Sequence, residues 1–191
     1  MNILIINANP DKNSFCAAIA ESYKEGADTS DSNVNLIHLI DLEFDPILRY
    51  GYKKRMELEP DLLKVQEQIT KTDHIVLVFP TWWSTFPALL KGFIDRVILP
   101  HFAFKYKKGS PLPEKFLKGK SARLITTMDG PSIYYKWYMR SPGLRSIKKG
   151  VFEFCGIKPV KTTIFSSLKS TDNAKREKIL ENVRMMGEML K

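Results

Sequence analysis

The sequence predicts a single α/β domain, residues 1–191, in which a five-stranded parallel sheet carries helices on both faces. Five short apolar runs alternate with segments of helical period along all 191 residues. The third run, Ile75 to Phe79, is continuously apolar, as expected of a strand buried on both faces. Strands separated by helices pair in parallel through right-handed crossovers, and the commonest order for five strands is 2-1-3-4-5.

Each element follows from its local pattern. The predicted strands are Ile3–Ile6, Val34–Leu39, Ile75–Phe79, Ala122–Thr127 and Val160–Phe165. The predicted helices cover Ser14–Ala27 and Pro60–Lys71, a third helix that begins at Pro87, a fourth from Ser141-Pro142 to a terminator at Gly156, and a last one capped by Thr171 or Asp172. The fourth helix is expected to place Leu144, Ile147, Val151 and Cys155 on one face, and the last helix Ile179, Val183, Met186 and Leu190. Two long loops remain, Asp45–Glu59 and the basic loop Ala103–Gly119.

The formal net charge of +9 is unevenly distributed. Residues 1–95 hold 9 Lys and Arg against 14 Asp and Glu, whereas residues 96–191 hold 21 against 7. The basic residues are scattered, without an arginine-rich helix or a nucleic-acid-binding motif, so we expect no nucleic-acid partner. The surplus of basic residues either forms an ordinary solvent-exposed surface or attracts a phosphorylated dinucleotide.

Other sequence features predict a cytoplasmic protein without membrane insertion or a bound metal. The apolar runs fall far short of the roughly 20 residues of a membrane span. The N-terminal residues lack the positive start of a signal peptide and are expected to form a strand. Cys16 and Cys155 do not have the spacing of metal ligands, and we expect both to be buried, reduced thiols.

The first crossover, residues 7–15, contains no glycine, which excludes the G-x-G-x-x-G and Walker phosphate loops. Asn9, Asn13 and Ser14 nevertheless surround a predicted helix N-terminus, where free N–H groups and the helix dipole favour a phosphate. The alternative is that Asn13 or Ser14 simply caps the helix. The sequence leaves both interpretations open.

Two aromatic loops follow the third and fourth strands. The first is Pro80 to Thr85, with Trp82 and Trp83; the second starts at Thr126 and runs to Tyr138. The carboxyl ends of parallel strands share one edge of the sheet, where α/β proteins bind ligands, so we expect these loops to meet the first crossover. Aromatic clusters also form cores and interfaces. The convergence favours a planar ligand with a phosphate tail, a description that FMN fits.

These residues resemble the NAD(P)H:quinone oxidoreductase family of flavodoxin-like flavoproteins over essentially the whole chain. The resemblance is carried by Asn9 with Ser14-Phe15, by FPTWW and PALLKGFIDRV from Phe79, by Thr126-Thr127 with Tyr134, and by EFCGIKP from Glu153. It implies a flavodoxin-like three-layer sandwich that binds FMN, as in the compact bacterial branch, with FAD as a possible replacement and NAD(P)H as the reductant.

The resemblance also implies roles for particular residues. The flavin phosphate would contact Asn9, Ser14, Phe15 and Cys16. The isoalloxazine ring would contact Pro80, Thr81, Trp82, Trp83 and Ser84, and the loop after the fourth strand would contribute Thr126, Thr127, Met128, Asp129 and Tyr134. Well-known members have histidine near Asn9, two glycines at the positions of Met128 and Asp129, and a histidine that assists the loop tyrosine in hydride transfer.

Arg140 occupies the position of that assisting histidine. Tyr134 and Arg140 are therefore the implied catalytic residues. Arginine can stabilise negative charge on the reduced flavin, but it cannot shuttle protons. His38, His74 and His101 lie elsewhere in the sequence.

The implied reaction is a two-electron, ping-pong hydride transfer from NAD(P)H through the flavin to a quinone-like, azo or nitroaromatic acceptor. Two alternatives share the fold. One is a flavodoxin-type electron carrier, which the basic charge and aromatic loops disfavour. The other is a flavin-binding accessory subunit of an ion-efflux system that docks through the basic loop.

Two further expectations concern partners. The aromatic residues Phe102, Phe104, Tyr106, Trp137 and Tyr138 exceed what one domain buries, which favours a homodimer. Lys136, Arg140 or Arg145 beside the open face of the flavin would favour NADPH over NADH, because the 2′-phosphate adds negative charge.

Overall fold

The computed structural model describes residues 1–107, 109–110 and 112–189. Leu190, predicted on the last helix, and Lys108 and Pro111 of the basic loop therefore lie outside the described residues. The strands are β1 (Asn2–Asn7), β2 (Asn33–His38), β3 (His74–Pro80), β4 (Phe104–Lys105), β5 (Glu114–Lys115), β6 (Ser121–Thr127) and β7 (Val160–Phe165).

Five of these strands form a parallel sheet in the order β2-β1-β3-β6-β7, which confirms the predicted order 2-1-3-4-5. Every residue of the central strand β3 is buried. Its side chains feed two cores, because Ile75, Leu77 and Phe79 face one side of the sheet while Val76 and Val78 face the other. The continuous apolar run therefore predicts the position of β3 correctly.

The α-helices cover both faces of the sheet. They are α1 (Phe15–Asp28), α2 (Pro60–Lys71), α3 (Ala88–Val97), α4 (Pro142–Arg145), α5 (Glu153–Cys155) and α6 (Asn173–Glu188). Helices α1 and α6 pack over Val76 and Val78. Helices α2 and α3 cover the opposite face. Within the described residues, none of these helices combines the length and the apolar character that crossing a bilayer requires.

Four local predictions need correction. The basic loop contains a small antiparallel pairing of β4 with β5. Pro87 precedes α3 rather than starting it. Ser141 does not cap α4, because its backbone is left-handed (φ 48°) and its side chain makes no capping bond. The segment between α4 and α5 is π-helical over Ser146–Phe152.

Other local predictions are confirmed. Gly156 ends α5 with φ 106°, the left-handed conformation that glycine adopts most readily. Asp172 caps α6 by accepting a hydrogen bond from the Lys175 N–H. Cys16 and Cys155 are free, buried thiols.

Arg96 on α3 anchors the loop Asp45–Glu59. Its fully buried guanidinium donates to both carboxylate oxygens of Glu59, at 3.2 and 2.7 Å, and to the backbone carbonyls of Asp45 and Glu57. A Cβ on Gly92, one turn earlier, would lie 2.4 Å from Pro46 Cβ, so the loop also packs directly on the helix backbone. The LKGFIDR sequence thus holds this loop in place.

Candidate functional site

The turn after β1 is shaped by two buried asparagines. Asn7 Oδ1 accepts from the Asn9 N–H at 3.2 Å, and Asn9 Oδ1 accepts from the Asp11 N–H at 2.9 Å. Asn7 Nδ2 also lies 3.0 Å from Nδ1 of His38, at the end of the neighbouring strand β2. These side-chain amides therefore fix the backbone of a turn that contains no glycine.

Ser14 caps α1 and still leaves donors available. Its Oγ accepts from the Ala17 N–H at 3.3 Å, as the capping alternative predicts. The N–H groups of Phe15 and Cys16 lie in the first turn, where a helix supplies no acceptor, and the described residues provide none. The Ser14 hydroxyl proton is not used by the capping bond. The helix N-terminus therefore presents several donors beside one another.

Cys16 joins this turn to the end of β6. Its Sγ lies 3.1 Å from Thr127 Oγ1. Burial raises the pKa of the Cys16 thiol, against the opposing effects of its hydrogen bonds to Thr127 and Asn9. Cys16 is thus a neutral packing and hydrogen-bonding group, not a reactive thiolate.

The ends of β3 and β6 are tied together in the same way. Thr81 Oγ1 lies 2.7 Å from Thr126 Oγ1, and the Thr81 N–H donates to the Thr127 carbonyl at 2.7 Å. Three of the predicted loops therefore converge at one edge of the sheet, as expected. Their hydroxyls, thiol and N–H groups form a polar floor there.

The backbone above this floor is strained. Of the six non-glycine residues with positive φ among the described residues, five lie in loops at this edge: Trp83 (49°), Ser84 (62°), Arg140 (58°), Ser141 (48°) and Ser167 (59°). Such conformations are uncommon for non-glycine residues, and each costs of order 1–3 kcal/mol. Strain of this kind concentrates at functional sites.

The aromatic side chains around the edge are largely exposed. Trp83 is 99% exposed and Trp82 47%. Tyr134 stacks on Tyr138, with ring centroids 5.0 Å apart and planes inclined by 21°. Large exposed aromatic surface of this extent marks a contact surface for a ligand or a partner.

Tyr135 is a site residue that sequence reasoning missed. It is buried within a π-helical turn, Tyr134–Tyr138, and its phenol oxygen accepts from the Leu144 N–H at 3.4 Å. Burial raises the pKa of Tyr135, while the Leu144 and Gly143 N–H groups and the Thr81 hydroxyl act in the opposite direction. Tyr135 therefore links the second aromatic loop to the end of β3. Because four of the five residues in this turn are aromatic, the sequence does not show which of them is buried.

Some predicted residues have other contacts. The Arg176 guanidinium of α6 lies over the Phe15 ring, with Cζ 5.4 Å from the ring centroid. Pro80 ends β3 and is buried. The Met128 N–H donates to the Phe165 carbonyl, and Asp129 accepts from the Lys169 N–H, so both belong to the junction with β7. Ser84 faces the second loop, with its hydroxyl on Met139 Sδ and its carbonyl accepting from the Gly143 N–H.

Arg140 lies two residues beyond the second aromatic loop, exposed and without a carboxylate partner among the described residues. Its charge is therefore free to act on a bound anion. His74 and His101 lie away from this edge: His74 at the amino end of β3 and His101 in the turn beyond α3.

Two cavities formed by described residues lie away from the predicted site. One of about 540 Å³ lies between α3 and the π-helical Ser146–Phe152, and one of about 570 Å³ lies beneath the loop Asp45–Glu59. The predicted site is instead an open edge. Its walls are the exposed aromatic loops.

The donor set at this edge fits FMN. The first-turn N–H groups of α1 and Ser14 suit a phosphate. The half-buried Thr81 hydroxyl suits the polar rim of an isoalloxazine, and Trp82 and Trp83 offer flat apolar faces. Thr126 and Thr127 are buried beneath it and bond to Thr81 and Cys16. Groups of three or more His, Cys, Asp or Glu side chains that could hold a metal are absent from the described part of the chain.

Comparison with known proteins supports this assignment. A family model described as a flavodoxin-like fold matches residues 1–188. An uncharacterised NAD(P)H oxidoreductase of Haemophilus influenzae is 31% identical over 95% of this chain and 91% of its own length. Ribosyldihydronicotinamide dehydrogenase [quinone] of Mus musculus is 27% identical over 93% of this chain and 87% of its own length.

Solved structures agree on the fold. Smu.1420 from Streptococcus mutans superposes with a TM-score of 0.87 and 33% identity, covering 99% of this chain and 100% of that protein. An FMN-dependent NADH-azoreductase from Bacillus anthracis, solved with FMN, has a TM-score of 0.79 and covers 99% of this chain and 98% of its own. At 20% identity, that second likeness shows the fold alone.

Proposed function

The chain belongs to the family with the flavodoxin-like fold, and on that premise we propose that it is an FMN-dependent NAD(P)H oxidoreductase that reduces a quinone-like acceptor. Its similarity along nearly its whole length to NAD(P)H oxidoreductases supports the reductant. The acceptor class rests on the mouse quinone dehydrogenase and on the aromatic loops.

One observation carries the proposal. Hydroxyl and N–H donors converge at the carboxyl edge of the sheet, beneath aromatic loops whose backbone is strained. A protein that used Trp83 only for packing would bury the ring, yet 99% of this side chain is exposed. A planar ligand bound on the polar floor would explain both the exposed Trp83 ring and the strained backbone.

Different residues would bind the two ends of the cofactor. Ser14 and the first-turn N–H groups of Phe15 and Cys16 would hold the phosphate. Thr81 would orient the ring edge, held in place by the buried Thr126 and Thr127, and Trp82 and Trp83 would cover part of a face. When bound, FMN supplies the hydride-accepting and two-electron-donating chemistry.

Tyr134 acts from the second loop and Arg140 from two residues beyond it. The fixed charge of Arg140 would stabilise negative charge at the reacting edge, whereas its guanidinium cannot deliver a proton at neutral pH. Proton delivery would then fall to solvent or to the Tyr134 hydroxyl. A half-exposed tyrosine on a strained loop can still adjust to each planar substrate in turn.

We also propose that the protein is a cytoplasmic homodimer whose second copy covers part of this edge. The edge is open in a single chain, and Trp83, Trp137 and Tyr138 are 99%, 81% and 76% exposed. A second copy would bury this surface and complete the walls of the site.

Steady oxidation of NAD(P)H by the FMN-supplemented protein, with a soluble benzoquinone as acceptor, tests the proposed activity. We expect turnover that requires both the protein and the flavin, with parallel lines in double-reciprocal plots because the two substrates use one open face in turn. A rate no higher than that of free FMN would reject the activity.

A further inference from the structure

A basic pocket lies beside the proposed site on the outer side of the second aromatic loop. It has a volume of about 270 Å³ and is lined by Lys136, Ser141, Leu144, Arg145, Lys148, Lys149, Thr162 and Ile164. Four of the eight lining residues are cationic, and two more carry hydroxyls. None of them belongs to the predicted FMN contacts.

The pocket lies in a part of the chain that is almost free of acidic residues. Between residues 130 and 171 the sequence has eight Lys and Arg and a single acid, Glu153. Glu153 does not line the pocket. Within the described residues, none of the four lining cations pairs with a carboxylate. Their charges are therefore available to an anion.

The recognition groups are side chains rather than backbone. The Gly143, Leu144 and Arg145 N–H groups already donate to Ser84, Tyr135 and Ser141. The Ser141 side chain, in contrast, makes no capping bond. The volume is below the roughly 300–1,000 Å³ of pockets for whole small molecules, so it suits one group of a larger ligand. A phosphate that accepts from several cations and hydroxyls is such a group.

The pocket and the proposed site share a wall. The Ser141 N–H and the Leu144 N–H both donate to Tyr135, whose phenol faces Thr81 on the inner side. Ile164, which lines the pocket, pairs with Thr126 on the adjacent strand. The pocket therefore lies on the strand and the loop that adjoin the proposed site.

We propose that this pocket binds the 2′-phosphate of NADPH, which makes the protein selective for NADPH over NADH. The inference rests on the proposed oxidoreductase function and specifies its reductant. A long dinucleotide that presents its nicotinamide at the open edge carries the adenosine phosphate at its far end. Lys136 and Arg145, which the sequence suggested for the flavin face, serve this phosphate instead.

Ligand binding by the FMN-supplemented protein tests the pocket without turnover. Calorimetric titrations at low salt would compare 2′,5′-ADP, 5′-AMP and inorganic phosphate. We expect Arg145→Gln/Lys148→Gln to weaken 2′,5′-ADP by about tenfold and 5′-AMP by less than about twofold, because only the former has the 2′-phosphate. Lys175→Gln/Lys178→Gln on α6 removes the same charge elsewhere and should change neither by more than about twofold.

Kinetics provide a second measurement. In the pocket variant kcat/KM for NADPH should fall about tenfold while the value for NADH stays constant, and the wild-type preference should shrink above 0.1 M salt, where screening acts within about 10 Å. Unchanged 2′,5′-ADP affinity in the pocket variant, an equal loss in the α6 variant, or inorganic phosphate that binds as tightly as 2′,5′-ADP would overturn the assignment. Absence of any NAD(P)H oxidation, with 2′,5′-ADP binding intact, would reject only the oxidoreductase function.

Discussion

His74 is a buried histidine that remains neutral in the folded protein. Only 6% of it is exposed, and its Nδ1 lies 2.7 Å from Ser121 Oγ. Burial lowers its pKa to about 4, with further contributions from the charges of Arg123 and Lys161. In the unfolded chain the pKa is about 6.5, so between these two pH values only the unfolded state binds the proton.

Stability should therefore fall as the pH drops from about 6.5 to about 4, by up to about 3 kcal/mol from this residue. Urea unfolding of wild type and His74→Asn across this range measures the effect. The asparagine amide keeps a partner for Ser121 but does not titrate, so its stability curve should be flatter. His101→Asn, at an exposed left-handed position, is the control and should keep the wild-type slope. Parallel slopes in wild type and His74→Asn would contradict this account.

For individual residues, the sequence predicts chemistry better than conformation. Ser14, Thr81, Thr126 and Thr127 lie at the edge where their types and positions suggested. The left-handed backbone of Trp83 could not be predicted, because a tryptophan carries no compositional signal for a positive φ. Tyr135 could not be distinguished from its aromatic neighbours for a similar reason.

At the scale of elements, Arg96 links α3 to a loop that has little other regular structure. Burial acts to raise the pKa of Glu59, but hydrogen bonds from the backbone and from Arg96 outweigh it and leave that pKa below its usual value. Removing only the cation would leave the carbonyls of Asp45 and Glu57 without the guanidinium and the Glu59 carboxylate with backbone N–H donors alone.

Arg96→Met should therefore destabilise the protein by about 3–5 kcal/mol, and the loop Asp45–Glu59 should become the first site of proteolysis. Denaturant unfolding and limited trypsin digestion with mass mapping measure these effects. Lys91→Met, on the same helix but in an exposed pair with Asp95, should cost less than about 0.5 kcal/mol. Equal losses for the two variants would contradict the anchoring role of Arg96.

The regular elements were predictable because their apolar periods differ. The buried strand β3 follows from a continuous apolar run, and α1, α2 and α6 follow from a period of 3.6 residues. The π-helical Ser146–Phe152 was predicted as ordinary α-helix, since Leu144, Ile147, Val151 and Cys155 fit that period closely. The i→i+5 hydrogen bonds of a π-helix leave no mark in that apolar pattern.

Alternating strands and helices were enough to predict the sheet order, because right-handed crossovers leave few arrangements.

The mass of the protein in solution tests the proposed homodimer. Light scattering at micromolar concentration should give about twice the 22.0 kDa chain mass. Trp137→Ser, at a ring that is 81% exposed, should shift the equilibrium towards monomer without loss of the fold. A wild-type mass of 22.0 kDa would reject the dimer.

FMN binding by Ser14 variants measures whether the N-terminus of α1 holds the flavin phosphate. Wild type, Ser14→Asn and Ser14→Asp would be titrated with FMN while flavin fluorescence and the visible spectrum are followed. Asn and Asp both cap helices well and have nearly the same size, so the two variants differ mainly in charge. We expect wild type and Ser14→Asn to bind FMN stoichiometrically, and Ser14→Asp to bind at least about tenfold more weakly because its carboxylate repels the phosphate. Equal FMN affinity in Ser14→Asp, or no binding by wild type, would contradict the account.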